Sequence, residues 1–469
     1  MQENEEKNAV ILNLRDENQI EEKKKIKVLF TGLLYLDHNY GAQGIAFPMM
    51  EKLSNYFDAE YTFVLSQKYH EETLPFSAEY DFKVIIAPNP FVILKKRYFP
   101  IYLLYRLIKR KTILQEQKRR FSILVDALSE NDVVIDLSGI EFIGNIPLKR
   151  RYLDYLARIS LQCLAEKYGK LYLKYTKSYG PFPSADKLYK FLVKRQLSKL
   201  PFLLVRGKNN LDEIKKLNLK IPLYSFPDIS LSLKAESITW ALNYVDKLGV
   251  DSSKKLVGLS PSAVIAGIKT KDMCSSCGDN HVKLCKEIIK FYRSNNQQVL
   301  LIPHSINDGK DLRSCDLALA RKIYDELRNK KGLFLVDNTD LTYKQVRAII
   351  GLLDFYITGR YHSVSSALTM AVPTVTLSWH IKYKDIISLF SDELPIISCR
   401  QKSVEQSLAL IKDYYYNRQW FNREKILERK KEVIKKIDKS ITIVVDEIKR
   451  NLGESEVVDE ITEIWAKAE

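Results

Sequence analysis

Cysteine is scarce: six residues in a chain of 469, unevenly spread. That distribution fits reduced thiols, not the disulfide framework of a small secreted protein. No run approaches the roughly 18 uninterrupted apolar residues of a membrane-spanning helix. The first 25 residues mix both signs of charge without an apolar core. They read as a disordered tail over 1–25, not a signal peptide, so a cytoplasmic protein is expected. A Gly-x-Gly-x-x-Gly fingerprint is missing, which argues against a dinucleotide fold. Zinc-finger modules, RNP-type aromatic motifs, bZIP-type repeats, longer internal repeats and low-complexity blocks are missing too. Nucleic acid is therefore not an expected partner.

What is present is apolar mass and positive charge. At 46% hydrophobic content, 469 residues can build two or three domains with sizeable cores. Lys and Arg outnumber Asp and Glu by 74 to 58, a formal net charge of +16. Such an excess points to an anionic partner: a phosphate-bearing substrate or an acidic lipid surface.

Short β-prone runs alternate with helical periodicity through the chain, the signature of an α/β fold with parallel sheets. Strands are expected at 26–32, 61–65, 82–86, 132–139, 171–175 and 202–206. A helix is expected from Met49 after a donor-bearing loop that holds His38, Asn39, Gly41 and Gly44. Pro222 to Pro227 reads as a crossover. The alternation then restarts with strands at 256–260, 298–302, 333–336, 355–358 and 375–377. The expected organisation is an N-terminal Rossmann-like domain over 26–235, a C-terminal Rossmann-like domain over 236–400, and C-terminal helices over 401–469.

One stretch organises the site. Phe355 to Thr358 is a strand, Gly359 permits a sharp exit, Ser363 is the expected N-cap of a helix, and Pro373 stops it. Arg360 and His362 thus sit where a parallel strand gives way to a helix, the edge at which open α/β sheets bind ligands. Lys382 follows the next strand at the same edge. Arg206 and His304 close two other strands, and Asn39 follows the first. The plainer readings are surface ion pairs for the arginines, a loop histidine for His362 and a capped loop at Asn39. Several strand ends that offer a cation or donor to one edge favour a ligand.

Two further segments stand out. Residues 90–121 interleave aromatic and aliphatic side chains with Lys95, Lys96, Arg97 and Arg110, as a helix facing an anionic membrane would; the alternative is a packed helix with snorkelling lysines. Cys274, Cys277, His281 and Cys285 have a spacing that would let a zinc ion bind, with His281 and Cys285 on one helical face. A loop with free thiols is the simpler reading, and no metal is expected.

These residues resemble the polysaccharide pyruvyl transferase family over roughly 27–389. The resemblance is carried by Arg360-Tyr-His362, Val372-Pro373 and Trp379-His-Ile-Lys382. It is supported in order by Asn39-Tyr-Gly41, Ser178-Tyr-Gly-Pro-Phe182, Val205-Arg206, Pro227-Asp228 and Ile302-Pro-His304. Lys177 stands where the family often has Gln, and the 136–139 strand end lacks the usual glycine run. The resemblance implies two Rossmann-like domains facing a cleft, similar to GT-B glycosyltransferases. It implies phosphoenolpyruvate as co-substrate, no cofactor, and a sugar acceptor, lipid-linked or polymeric, that receives a pyruvate ketal. His362 would then be the general acid/base, with Arg206, Arg360, His304, Lys382 and Asn39 binding substrate. A nucleotide-sugar glycosyltransferase and a non-catalytic envelope-assembly protein are the rival readings.

Overall fold

The computed structural model describes residues 23–36, 39–65, 80–94, 111–144, 146–182, 186–267, 279–306, 315–380 and 382–454. Its first lobe holds a five-stranded parallel sheet of β1 (Lys25–Thr31), β2 (Asp58–Leu65), β3 (Lys83–Ile86), β4 (Val133–Asp136) and β6 (Leu171–Lys174), in the order β3-β2-β1-β4-β6. Two short parallel ladders extend this lobe: β5 (Ile140–Glu141) with β7 (Ser178–Tyr179), and β8 (Leu203–Arg206) with β9 (Leu223–Phe226). The second lobe holds β10 (Leu256–Ser260), β11 (Gln298–Leu301), β12 (Leu333–Leu335), β13 (Phe355–Thr358), β14 (Thr374–Ser378) and β15 (Ile396–Ser398), ordered β12-β11-β10-β13-β14-β15. In both sheets the strand order reverses beside the lobe's first strand, which opens a crevice at the strands' C-terminal ends.

Central strands such as β4, β10 and β13 are buried along their whole length, which is why they read as continuous apolar runs. One apolar core passes through both lobes, joining Val28 and Phe30 of β1 to Val346 and Val364 of the second lobe. The long helix Arg423–Asn451 closes it. Ile426, Val433, Ile437, Ile441, Val444 and Ile448 recur at steps of three, four or seven and form its buried stripe. This helix touches both lobes: Ser440 Oγ lies 2.6 Å from the Tyr175 hydroxyl, and Arg423 donates to the Ala371 carbonyl at 3.2 Å. No helix among the described residues is long and apolar enough to cross a membrane.

Several local expectations are corrected. The first helix begins at Tyr40, not Met49, because the Asn39 side chain accepts the Ala42 N–H at 3.3 Å and caps it. Gly41 and Gly44 serve close approach, not a turn. A Cβ on Gly41 would stand 2.5 Å from His362 Nδ1, and one on Gly44 would stand 2.3 Å from Tyr343. Only glycine lets this helix seat against the second lobe, where the Tyr343 N–H donates to Gln43 Oε1 at 2.8 Å. Leu223–Phe226 is a strand, not a crossover. Ser363 lies within the helix Tyr361–Thr369, which has Arg360 at its N-cap position, and accepts a 3.0 Å bond from Thr358 Oγ1. Residues 1–22, His38, the 95–110 part of the basic segment, and Cys274 and Cys277 lie outside the described residues.

Candidate active site between the lobes

Arg206, Arg360, His362, His304, Lys382 and Asn39 all line one cavity of about 190 Å3. The second lobe delivers His304 beyond β11, Arg360 and His362 beyond β13, and Lys382 beyond β14. The first lobe contributes Asn39, Gly41, Gly139, Ser178 and Arg206. An isolated antiparallel bridge between Asn39 and Ser305 stitches the two walls together.

The two arginines are not surface ion pairs. Arg206 Nη1 sits 2.9 Å from Asp228 Oδ2, with the carboxylate fully buried, and Nη2 donates to the Thr176 carbonyl at 3.1 Å. Arg206 Nε has no hydrogen-bond partner among the described residues. Arg360 grips Asp316 through two nitrogens, with Nε 2.7 Å from Oδ2. Asp316 also accepts the Ala263 N–H at 2.8 Å and the Ser305 N–H at 3.0 Å, so it fixes both the arginine and the loop that carries His304. A fork-shaped guanidinium held this way is fixed in direction as well as position.

Lys382 is held differently. No carboxylate pairs with it among the described residues; its ammonium lies 4.8, 5.5 and 5.6 Å from the ring centroids of Trp379, Tyr361 and Tyr383. Ring faces stabilise the charge without neutralising it. Burial, with Arg206 and Arg360 adding to it, lowers the Lys382 pKa to about 7. It therefore titrates at neutrality and stays available to an incoming anion.

The His362 imidazole lies between the lobes, with Nε2 3.8 Å from Asp228 Oδ2 and Nδ1 against Gly41. Sequence reasoning expected a group titrating near neutrality. In the open site burial is the largest influence, and Arg206, Lys382 and Arg347 add to it; together they outweigh Asp228 and bring the pKa to about 4. The ring is a neutral base at pH 7, and the neutral-range titration belongs to Lys382. His304 is 3% exposed, edge-on to Tyr40 and Tyr343 at 5.6 Å each, and neither of its ring nitrogens has a hydrogen-bond partner among the described residues. Burial pushes its pKa well down, so it too is neutral. Burial works to raise the Asp228 carboxyl, but Arg206 and His362 hold it below the usual range, so it stays ionised.

The arrangement is a small anion site: fixed guanidinium edges, one caged ammonium, the N-terminus of the helix Tyr361–Thr369, and a neutral imidazole backed by a carboxylate. Asn39 lines the cavity while its side-chain oxygen is engaged in capping. His281 and Cys285 do not line the cavity; His281 Nε2 accepts the Ser262 N–H at 3.0 Å and lies 3.8 Å from Cys285 Sγ. Asp228, Asp316 and the aromatic cage were not assigned roles from the sequence. The arginine and histidine partners of the two carboxylates lie 22 to 134 residues away in the chain, although a cation expected in a buried cleft is itself a signal that a carboxylate must be near.

The chain is similar in fold to several solved structures. S. aureus MnaA, solved with UDP, has 10% identity and a TM-score of 0.52, covering 92% of this chain and 98% of its own. The Candida albicans trehalose-6-phosphate phosphatase N-terminal domain has 9% identity and a TM-score of 0.53, covering 92% and 99%. An E. coli trehalose-6-phosphate structure bound with UDP-2-fluoro glucose has 11% identity and a TM-score of 0.51, covering 90% and 99%. At such identities the likeness is one of fold, and that fold is GT-B-like. No curated protein matches the chain. The family model for polysaccharide pyruvyl transferase matches residues 39–381, from the capping asparagine to the residue before the caged lysine. With most of its length matched, the chain belongs to the polysaccharide pyruvyl transferase family.

Proposed function

We propose that the protein transfers the enolpyruvyl group of phosphoenolpyruvate to a sugar of a cell-surface polysaccharide, or of its lipid-linked precursor, to give a pyruvate ketal. The observation that carries this is the cavity itself. Two anchored arginines and an ammonium caged by rings converge on a space of about 190 Å3. That is below the roughly 300–1,000 Å3 of sites for drug-sized ligands, which favours a small acid with two anionic groups over a nucleotide sugar. Lys382, Arg206 and Arg360 would bind its carboxylate and phosphate.

Ketal formation from phosphoenolpyruvate needs no net proton. The first hydroxyl adds to C2 while C3 gains a proton; the C2–O bond to phosphate then breaks, and the second hydroxyl adds to C2. One hydroxyl proton ends on C3 and the other on the departing phosphate. In this reading neutral His362 takes a hydroxyl proton, and Asp228 at 3.8 Å favours the imidazolium that results. The same imidazolium can return the proton to C3 or to phosphate. Fixed cations would offset the charge on the leaving group without a metal.

The decisive experiment offers the purified protein a sugar acceptor with either phosphoenolpyruvate or a nucleotide sugar. Phosphate release from the first, with a ketal in the product, is expected; nucleotide release from the second instead would overturn the reading. A pH dependence follows from Lys382. Its charged form binds the anion and its pKa is about 7, so affinity for phosphoenolpyruvate falls as pH rises above 7. The slope approaches about tenfold per pH unit until the pKa of the complex is reached. Between pH 7 and 9 a phosphomonoester, with its second pKa near 6, is already mostly ionised. Titration calorimetry should show proton uptake on binding, absent in Lys382→Met; a flat profile would reject this role. Gly41→Ala places a Cβ 2.5 Å from His362 Nδ1. Turnover is expected to fall at least tenfold. The melting temperature should fall by no more than about 8 °C, because a helix-propensity gain of about 1 kcal/mol offsets part of an overpacking cost of about 1–3 kcal/mol.

A further inference from the structure

The first lobe carries exposed apolar side chains that neither the core nor the cavity uses. Leu148 and Leu153, on the helix Leu148–Lys167, are 63% and 42% exposed; Leu188 and Phe191, on the helix Lys187–Leu197, are both 59% exposed. The two helix starts lie side by side. Arg151 and Tyr152 reach Asp186 at 2.6 and 3.0 Å, and the rings of Tyr152 and Tyr189 stand 5.8 Å apart.

At the starts of these two helices the exposed charges are positive. Lys149, Arg150, Lys187 and Arg195 are exposed, and Lys190 and Lys194 are half-buried. The carboxylates on the same two segments are engaged: Asp186 by Arg151, Asp154 by Arg158, and Glu166 by Lys199. Large apolar tips beside exposed cations match the two layers of an anionic bilayer, whose headgroups take the charge and whose acyl boundary takes the rings and branched chains. We propose that the paired starts of these two helices form a surface that docks on an anionic lipid bilayer. The surface is distinct from the basic segment at 90–121, and the proposal does not depend on the reaction assigned above. The helix Leu148–Lys167 also supplies Asp154, Arg158 and Leu161 to a second cavity of about 460 Å3 at the strand ends of the first sheet. Docking would therefore hold that cavity near the membrane.

The test floats the full chain with vesicles of phosphatidylcholine containing one third phosphatidylglycerol, and with phosphatidylcholine alone. The chain is expected to float with the first and not the second, and to be released by salt. Leu188→Asp with Phe191→Asp should cut partitioning at least tenfold. Neutralising Lys149 or Arg150 should cut it about fivefold each. A matched pair on another helix, Ile238→Asp with Leu242→Asp at 50% and 49% exposed, should leave it unchanged. Phe191→Trp should be quenched by brominated lipid, which reads insertion without loss of the apolar contact. A parent chain that stays below the anionic vesicles would overturn the proposal. So would a Leu188/Phe191 variant that still floats, an unquenched Phe191→Trp, or light scattering that shows a dimer dissolved by that variant, since a second copy would then be the occupant.

Discussion

Replacing His362 with asparagine is expected to lower turnover by about 10²-fold or more while the fold survives. A positioned general base contributes roughly 10²–10⁴-fold, and His362 is the neutral imidazole aimed between the lobes with a carboxylate behind it. Asparagine keeps a polar side chain of smaller size against Gly41 but cannot exchange a proton. The readout is phosphate released from phosphoenolpyruvate in the presence of a sugar acceptor, with circular dichroism and a thermal melt alongside. Turnover within threefold of the parent, with an unchanged melt, would remove His362 from proton transfer. Because Asp228 also anchors Arg206, Asp228→Asn is expected to raise the KM for phosphoenolpyruvate as well as lower kcat, whereas His362→Asn acts mainly on kcat.

The largest effect on stability is expected inside the first lobe, at a four-residue charge cluster beside the active cavity. Lys174 Nζ lies 2.8 Å from Glu141 Oε2 and 3.4 Å from Asp136 Oδ2; Lys177 Nζ lies 3.2 Å from Glu141 Oε1 and also meets Asp136. Both lysines are fully buried, so the cluster is two positive and two negative charges cut off from water. Burial works to raise the Asp136 carboxyl, and Lys177 and Lys174 more than reverse that. The stability this contributes is present at neutral pH and is lost as pH falls below the usual carboxylate range. Lys174→Met leaves a buried negative charge without its partner, a cost of about 3–5 kcal/mol. In a lobe of this size that lowers the melting temperature by roughly 6–20 °C. Adding Glu141→Gln should restore much of it, because Lys177 and Asp136 remain as a neutral pair. A Lys174→Met protein within 1 kcal/mol of the parent would show that the cluster is hydrated or dispensable.

The same cluster marks a limit of sequence reading. Asp136 and Gly139 were legible as a strand end with small residues, and Lys177 as an unusual residue at its position. Nothing local said that Lys174 and Lys177 would turn inward to meet Glu141. A lysine at a strand end is ordinarily solvated, and only the parallel pairing of β4 with β6 and of β5 with β7 brings the four side chains together. Long elements were easier. Buried strands announce themselves by continuous Val, Ile and Leu, and the alternation with helices implied parallel sheets before any coordinates. Breakers misled where a close contact used them: Gly41 and Gly44 read as a turn because the packing partners that require glycine, His362 and Tyr343, are about 300 residues distant.

For the site, the chain itself carried the identities of the cations and imidazoles and their positions at strand ends, because strand-to-helix transitions are written in local sequence. Their protonation was decided only by the assembled lobes. A histidine's pKa depends on burial and on charges from distant segments, so the residue expected to titrate at neutrality became a neutral base and the lysine beside it took that range. The carboxylates that aim the arginines were likewise settled by tertiary contact, since electrostatic energy depends on distance in space and not on separation along the chain.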